Sequence, residues 1–112
     1  MVNLAQYNTL RVPAKAKDLM LLKFPKDLKK LRVDEQYMFL GLGANVLFVH
    51  DFPGTIIRVD LKGRQVISQT DDEVIIEAAA GENWHDLVMW TVENNWSGLE
   101  NMALVPGTVG AA

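Results

Sequence analysis

The sequence has no cysteine and only two histidines, and both shortages narrow the chemistry open to it. Without cysteine there is no disulfide framework, no thiolate zinc site and no cysteine nucleophile. Two histidines are too few for a multi-histidine metal centre. We therefore predict no metal site.

The sequence also has no excess of positive charge and no long apolar run. Its 11 lysines and arginines are outnumbered by 14 acidic residues, which gives a net charge of −3. This balance gives no electrostatic reason to expect nucleic acid or an anionic membrane as a partner. No apolar run approaches the roughly 18 residues of a membrane span, and the first residues lack the plan of a secretion signal. We expect a soluble cytoplasmic protein.

The length of 112 residues suits one small domain over residues 1–112. It leaves little room for both a cofactor site and a substrate site. Hydrophobic residues make up 49% and charged residues 22%, as in folded globular proteins.

Short apolar or β-branched runs separated by turn residues predict a strand-rich α+β domain. Pro25 begins a short predicted helix that ends at Arg32. A turn is predicted over Asp51–Gly54, between the third and fourth strands. The predicted strands are Asp18–Phe24, Tyr37–Leu40, Val46–Val49, Thr55–Asp60, Gln65–Ser68 and Glu73–Ala78.

The clearest helix signal follows Asn83, which is a favourable N-cap residue. Apolar and small residues recur at helical spacing along one face, and Asn94 and Asn95 should end the helix. The remaining segment, residues 97–112, contains three glycines and a proline and reads as loop or short helix. The residues on the helical face are Trp84, Leu87, Val88 and Thr91.

Two glycine-rich loops are the best candidates for a binding site. Residues 41–45 (Gly-Leu-Gly-Ala-Asn) let backbone N–H groups approach a phosphate closely, because glycine has no Cβ. A strand pattern follows this loop and there is no P-loop motif, which disfavours Rossmann and P-loop sites. In the second loop, Pro106 fixes φ, Gly107 permits positive φ, and Thr108 offers a hydroxyl. Each loop alone is also compatible with a plain turn, but together they indicate a nucleotide or dinucleotide ligand.

No nucleophile, base and orienting group are visible together, so we predict no catalytic residue in this chain. His50 and Asp51 are adjacent and would point to opposite faces of a strand, and Asp51 is better explained by a turn. His85 lies off the apolar face of the predicted helix and should be solvated. The three tryptophans, Trp84, Trp90 and Trp96, are better explained as core residues than as a base-stacking platform.

Six short motifs follow one another along residues 8–112. They are Asn8-Thr9, Leu40–Leu47 (LGLGANVL), Gly54–Ile57 (GTII), Ala80–Trp84 (AGENW), Gly98–Asn101 (GLEN) and Pro106–Ala111 (PGTVGA). Each motif is weak alone, but their order and spacing are specific. Together they resemble the N-terminal FAD-binding half of the UDP-N-acetylenolpyruvoylglucosamine reductases, also called UDP-N-acetylmuramate dehydrogenases.

The resemblance implies an α+β, FAD-binding fold of the vanillyl-alcohol-oxidase type, of which this chain is the N-terminal portion. It also implies that two loops supply backbone amides to the FAD pyrophosphate and border the flavin. The family uses NADPH to reduce FAD and then reduces the enolpyruvyl group of a UDP-sugar, in the synthesis of bacterial cell-wall precursor. The residues carried over are Gly41, Gly43, Ala44, Asn45 and Val46, then Pro106, Gly107, Thr108, Val109, Gly110 and Ala111.

The sequence departs from the family pattern in three ways. Ala44 stands where the family has a serine, the glycines expected after Asn8-Thr9 are missing, and the helix from Pro25 is short. The catalytic serine, arginine and glutamate of the family and its substrate-binding domain lie beyond residue 112. We therefore expect a catalytically inactive FAD-binding portion that needs the missing part for the UDP-sugar and that self-associates through the surface the missing lobe leaves. The alternative is a non-catalytic binding or interaction module that keeps the fold.

Overall fold

A computed structural model describes all residues from 1 to 112, and they form two compact units, 1–60 and 61–112. That residues 1–112 act as one FAD-binding domain stays a prediction. No helix combines the length and the apolar composition that a membrane-spanning segment requires.

The first unit is built on a four-stranded mixed sheet in the order β1-β2-β4-β3. β1 pairs antiparallel with β2, whereas β2 and β3 both lie parallel to the central strand β4. Two 3₁₀ helices, Ala5–Tyr7 and Pro25–Lys30, connect these strands. The strands are β1 (Val2–Asn3), β2 (Lys15–Leu22), β3 (Tyr37–Leu40) and β4 (Phe52–Val59).

The hydrophobic core of this unit covers one face of the sheet. Ile56 on β4 and Leu40 on β3 lie on this face, and residues of the connecting segments pack on it. The polar residue Asn8 is also buried, because its side chain bonds three backbone groups: it donates to the carbonyls of Leu4 and Val12 and accepts from the Val12 N–H. The core comprises Leu4, Ala14, Ala16, Leu40, Phe48, Phe52 and Ile56.

Two predictions for the first unit are wrong. The run Val46–Val49 is not a strand; Phe48 is buried in the core, whereas Leu47 and Val49 are exposed. Its alternation resembles a strand, but it has no neighbouring strand with which to form a ladder. The predicted turn over Asp51–Gly54 is also wrong, because β4 begins at Phe52.

Pro53 is tolerated inside the central strand because the pairing is interrupted there. The register between β2 and β4 shifts so that two residues of β4, Pro53 and Gly54, lie between the paired positions Phe52 and Thr55. The pairing with β3 begins only at Thr55. The missing N–H of Pro53 therefore removes no ladder hydrogen bond.

The predicted helix at Pro25 exists as a 3₁₀ helix, and the strand before it begins earlier than predicted. β2 already starts at Lys15, and only Ala16 and Leu22 in it are buried. Asp27 is buried at the start of the 3₁₀ helix. Its carboxylate accepts the N–H groups of Lys23 and Phe24 and pairs with Lys30 at 2.9 Å.

The second unit contains an antiparallel two-stranded sheet and one α helix. β5 (Arg64–Gln69) and β6 (Val74–Ala78) form the sheet, and every residue of β5 is exposed. The helix α1 (Trp84–Glu93) buries the predicted positions Leu87, Val88 and Thr91. Two further 3₁₀ helices, Glu100–Met102 and Val109–Ala111, follow it.

The prediction of α1 and both of its ends is confirmed. The Asn83 side chain accepts the Asp86 N–H at 3.0 Å, and Asn94 caps the other end. The prediction that the three tryptophans are core residues is wrong, because all three are only half-buried. Trp90 and Trp96 pack edge to face with ring centroids 5.1 Å apart, and the Arg64 guanidinium lies over Trp90.

Candidate functional site

The first glycine-rich loop, residues 41–46, directly follows β3. Gly43 is buried and has a φ of +66°, a conformation that glycine adopts at little cost. A Cβ at this position would lie 2.8 Å from the Cα of Asn8 and closer still to the carbonyl oxygen of Tyr7. Gly43 is therefore required by a close approach of two backbone segments.

The segment that approaches Gly43 also holds the loop by hydrogen bonds. The Thr9 N–H donates to the Gly43 carbonyl at 3.1 Å, and the Thr9 hydroxyl lies 3.3 Å from the carbonyls of both Gly43 and Ala44. Two motifs that are separate in sequence, Asn8-Thr9 and the loop, thus pack against each other. The sequence offered no reason to pair them.

These contacts use the carbonyl groups of the loop and leave its amides without partners. None of the six N–H groups from Gly41 to Val46 donates a hydrogen bond within the chain. Asn45 is exposed and Ala44 is half-buried, so the loop is accessible to a ligand. Consecutive backbone N–H groups that donate to no carbonyl or carboxylate of the chain are the kind of donor set that binds phosphate oxygens.

The second loop, residues 106–111, packs against the segment before α1. The Gly107 carbonyl accepts the Trp84 N–H at 3.0 Å, and the Val109 N–H donates to the Glu82 carbonyl at 2.9 Å. A Cβ on Gly110 would lie 2.9 Å from the Cβ of Ala80. The motifs at 80–84 and 106–111 therefore also pack against each other.

The second loop offers fewer donors to a ligand than the first. The N–H groups of Val109, Gly110 and Ala111 all bond carbonyls of the chain, and Pro106 has no N–H. The amides of Gly107 and Thr108 and the Thr108 hydroxyl form no hydrogen bond within the chain. Gly107 has a φ of +120°, and a Cβ at this position would meet no atom within 4 Å, although Gly107 and Thr108 are both buried. Any ligand bound here meets two amides and one hydroxyl.

The remaining polar candidates have structural partners instead of a shared site. Asp51 accepts the Lys15 N–H at 2.8 Å, and His50 contacts only the neighbouring Asp51 carbonyl. His85 is half-buried, where we expected a solvated side chain, because its Nδ1 accepts the Leu104 N–H at 2.9 Å. No group of three histidine or acidic side chains is placed to hold a metal ion.

The motif at residues 98–101 forms a local turn around a carboxylate. The Gly98 N–H donates to the Glu100 carboxylate at 2.6 Å. Backbone N–H bonds from Glu100 itself and from Gly98 lower the pKa of the Glu100 carboxyl, because they stabilise its charged form. This motif therefore has a structural explanation.

Comparison with known proteins places both loops within one family. The profile of the FAD binding domain family matches residues 28–112. The chain is 44% identical to the UDP-N-acetylenolpyruvoylglucosamine reductase of Flavobacterium johnsoniae over 96% of its length, and 41% identical to that of Burkholderia multivorans over 97%. It covers 33% of each of these relatives, so it spans about a third of their length.

A solved structure gives the same result. The crystal structure of UDP-N-acetylenolpyruvylglucosamine reductase from Thermus caldophilus matches 99% of the chain with a TM-score of 0.75 and 28% sequence identity. The chain covers 39% of that structure. The expected α+β FAD-binding fold and the resemblance to the N-terminal FAD-binding part of these reductases are confirmed.

Proposed function

We propose that this chain, which belongs to the FAD binding domain family, binds the diphosphate of FAD through its glycine-rich loops. The observation that carries the proposal is the run of six unengaged amides from Gly41 to Val46. Phosphate oxygens accept hydrogen bonds from such amides, and glycine lets them approach closely. The short loop thus provides donors without requiring any cationic side chain of its own.

The proposed FAD contacts differ between the two loops. In the first loop, Gly41, Gly43, Ala44, Asn45 and Val46 are proposed to contribute backbone amides. In the second loop, the amides of Gly107 and Thr108 and the Thr108 hydroxyl are proposed as donors. Its other proposed FAD-site residues, which shape the loop and border the flavin, are Pro106, Val109, Gly110 and Ala111.

We further propose that the complete protein is an NADPH-dependent reductase of the enolpyruvyl group of UDP-N-acetylglucosamine enolpyruvate, making UDP-N-acetylmuramate for peptidoglycan. FAD held by the amides of residues 41–46 would supply the hydride-transfer chemistry of such a reductase. Two relatives that carry the reductase name support this, each at more than 40% identity. The expected location is the bacterial cytoplasm. In the complete protein, the UDP-sugar would bind to a part that corresponds to the region of the relatives outside these 112 residues. We therefore expect no turnover by this chain alone.

One residue favours a second function, a binding module that keeps the fold without using FAD. Ala44 stands where the family has a serine, which removes one hydroxyl from the first loop. If selection on FAD binding has been relaxed, restoring the serine should not create an affinity that the chain lacks. FAD binding by the chain as it stands would exclude this alternative.

The experiment is a titration of the purified chain with FAD, followed by flavin fluorescence and absorbance. We expect saturable binding in the micromolar range by the wild type. Ala44→Ser should tighten binding by about fivefold to tenfold, the effect of one added hydrogen bond. Ala103→Ser, outside both loops, is the matched control and should not change the affinity. Absence of binding by both the wild type and Ala44→Ser would contradict the proposal.

The proposed self-association has a separate basis in the second unit. Val66, Ile67 and Ile75 of the β5–β6 sheet are 40%, 54% and 48% exposed, which is unusual for three neighbouring β-branched residues. An uncovered edge strand also presents unpaired backbone groups. Sedimentation velocity at increasing protein concentration tests this proposal, and a concentration-independent monomer would contradict it.

A further inference from the structure

Arg58, on the central strand β4, carries a buried polar atom without a partner. Its Nε is the only buried side-chain nitrogen or oxygen in the structure that lacks a hydrogen bond. The side chain also forms no ion pair. A guanidinium nitrogen withdrawn from water without a hydrogen-bond acceptor is costly, and such a group calls for a specific explanation.

The register of the sheet places Arg58 beside the first glycine-rich loop. Arg58 pairs with Leu40, the residue that immediately precedes Gly41. Because β3 and β4 are parallel, the loop begins at the end of the sheet where Arg58 lies. Leu21 is the partner of Arg58 on the other side.

The side chain of Arg58 shares a face of the sheet with the end of that loop. Paired residues on neighbouring strands point to the same face, so Arg58 lies on the face of Leu40, which belongs to the hydrophobic core. The chain returns to this face after the loop, where Val46 and Phe48 pack against the core. The loop thus begins beside Arg58 and ends on the face of the sheet on which the Arg58 side chain lies.

We infer that the Arg58 guanidinium binds the diphosphate of FAD together with the amides of residues 41–46. This inference rests on the proposed function. The planar guanidinium matches two phosphate oxygens at once, and a charged partner strengthens each hydrogen bond. The loop supplies donors without a charge, and Arg58 supplies the charge. An anion would also give the buried Nε its missing acceptor.

The test compares ligands with and without phosphate in variants of Arg58. Arg58→Met keeps the apolar stem and removes the charge, and it should weaken FAD binding by about tenfold or more. It should leave the affinity for riboflavin, which has no phosphate, unchanged. Arg58→Lys keeps the positive charge but not the two parallel donors of the guanidinium, so it should lose less FAD affinity than Arg58→Met. It replaces Arg58→Met in the test if that variant does not fold. Far-UV circular dichroism establishes folding of both.

The matched control is Lys17→Met, which removes one positive charge from the same sheet. Lys17 is exposed and lies four residues before Leu21, about 13 Å along β2. It should bind FAD as the wild type does. Equal FAD affinity in Arg58→Met and the wild type, or an equal loss for riboflavin, would overturn the inference while leaving the proposed function intact.

Thermal unfolding with inorganic pyrophosphate tests the same group without flavin. Pyrophosphate should raise the unfolding midpoint of the wild type and of Lys17→Met, but not that of Arg58→Met. A midpoint shift without FAD binding would uphold an anion site at Arg58 and contradict the proposed function. No effect of either ligand would contradict both. If NADPH or UDP-N-acetylglucosamine, and not FAD, loses affinity in Arg58→Met, the assignment to FAD is wrong.

Discussion

Substitution of Gly43 by alanine tests the packing of the first loop most severely. The left-handed conformation at φ +66° costs a non-glycine residue about 1–2 kcal/mol. The added Cβ would also meet the backbone of Tyr7 and Asn8, which cannot rotate away as a side chain could. Overpacking of this kind costs about 1–3 kcal/mol. We expect Gly43→Ala to lower the free energy of unfolding by about 2–5 kcal/mol.

The assay is urea denaturation followed by two signals that separate the units. All three tryptophans lie in residues 61–112, so their fluorescence reports unfolding of that unit. Far-UV circular dichroism follows both sheets, and the first unit holds the larger one. Gly43→Ala should lower the denaturation midpoint followed by circular dichroism more than the midpoint followed by tryptophan fluorescence.

The control is Gly63→Ala, since Gly63 also has a positive φ but no atom within 4 Å of its added Cβ. This variant carries a conformational penalty without a steric one, and it falls in the other unit. It should shift the tryptophan transition and leave the first unit unchanged. A loss below about 1 kcal/mol for Gly43→Ala would show that the loop does not hold residue 43 in this conformation, because the conformational penalty alone reaches that value.

Two further predictions concern local contacts of the fold. Asn83→Ala removes the side-chain cap on the Asp86 N–H and should cost about 1 kcal/mol, measured as a lower thermal midpoint, whereas Asn83→Ser should keep most of the stability. Asp27→Asn should flatten the acid side of the stability–pH curve, since the Lys30 side chain first and the Phe24 N–H second lower the pKa of the Asp27 carboxyl in the folded chain. That contribution is fully present above the unfolded pKa near 4 and is lost as pH falls through the lowered folded value; an unchanged curve for Asp27→Asn would contradict it.

The features that the sequence predicted well depend on local interactions. The start of α1 follows from the Asn83 cap, and its buried face follows from the helical spacing of Leu87, Val88 and Thr91. These interactions join residues within two turns of the chain. They need no knowledge of the rest of the fold.

The features that the sequence missed depend on distant partners. Val46–Val49 has the composition of a strand, but a strand requires a neighbour, and its position leaves it none. Pro53 indicates a turn in any single sequence, and only the register shift opposite Lys17 admits it to β4. The contacts of Thr9 with the first loop join residues 34 and 35 positions apart. No local pattern contains that information.

The candidate site divides in the same way. Glycine and proline at fixed positions identified both loops as places where backbone amides could be exposed. Which amides remain unengaged depends on the segments packed against each loop. The N–H groups of Val109 and Gly110 donate to carbonyls some 27 to 30 residues earlier in the chain, and no local sequence pattern indicates these bonds.

The most direct test of the account is a backbone amide NMR titration of the ¹⁵N-labelled chain with FAD. We expect large shifts for the amides of residues 41–46, 107 and 108, whose N–H groups have no partner in the chain. We expect smaller shifts for Val109 and Gly110, whose N–H groups already bond carbonyls. Shifts that spare residues 41–46, or no shifts at saturating FAD, would contradict the claim that these amides hold its diphosphate.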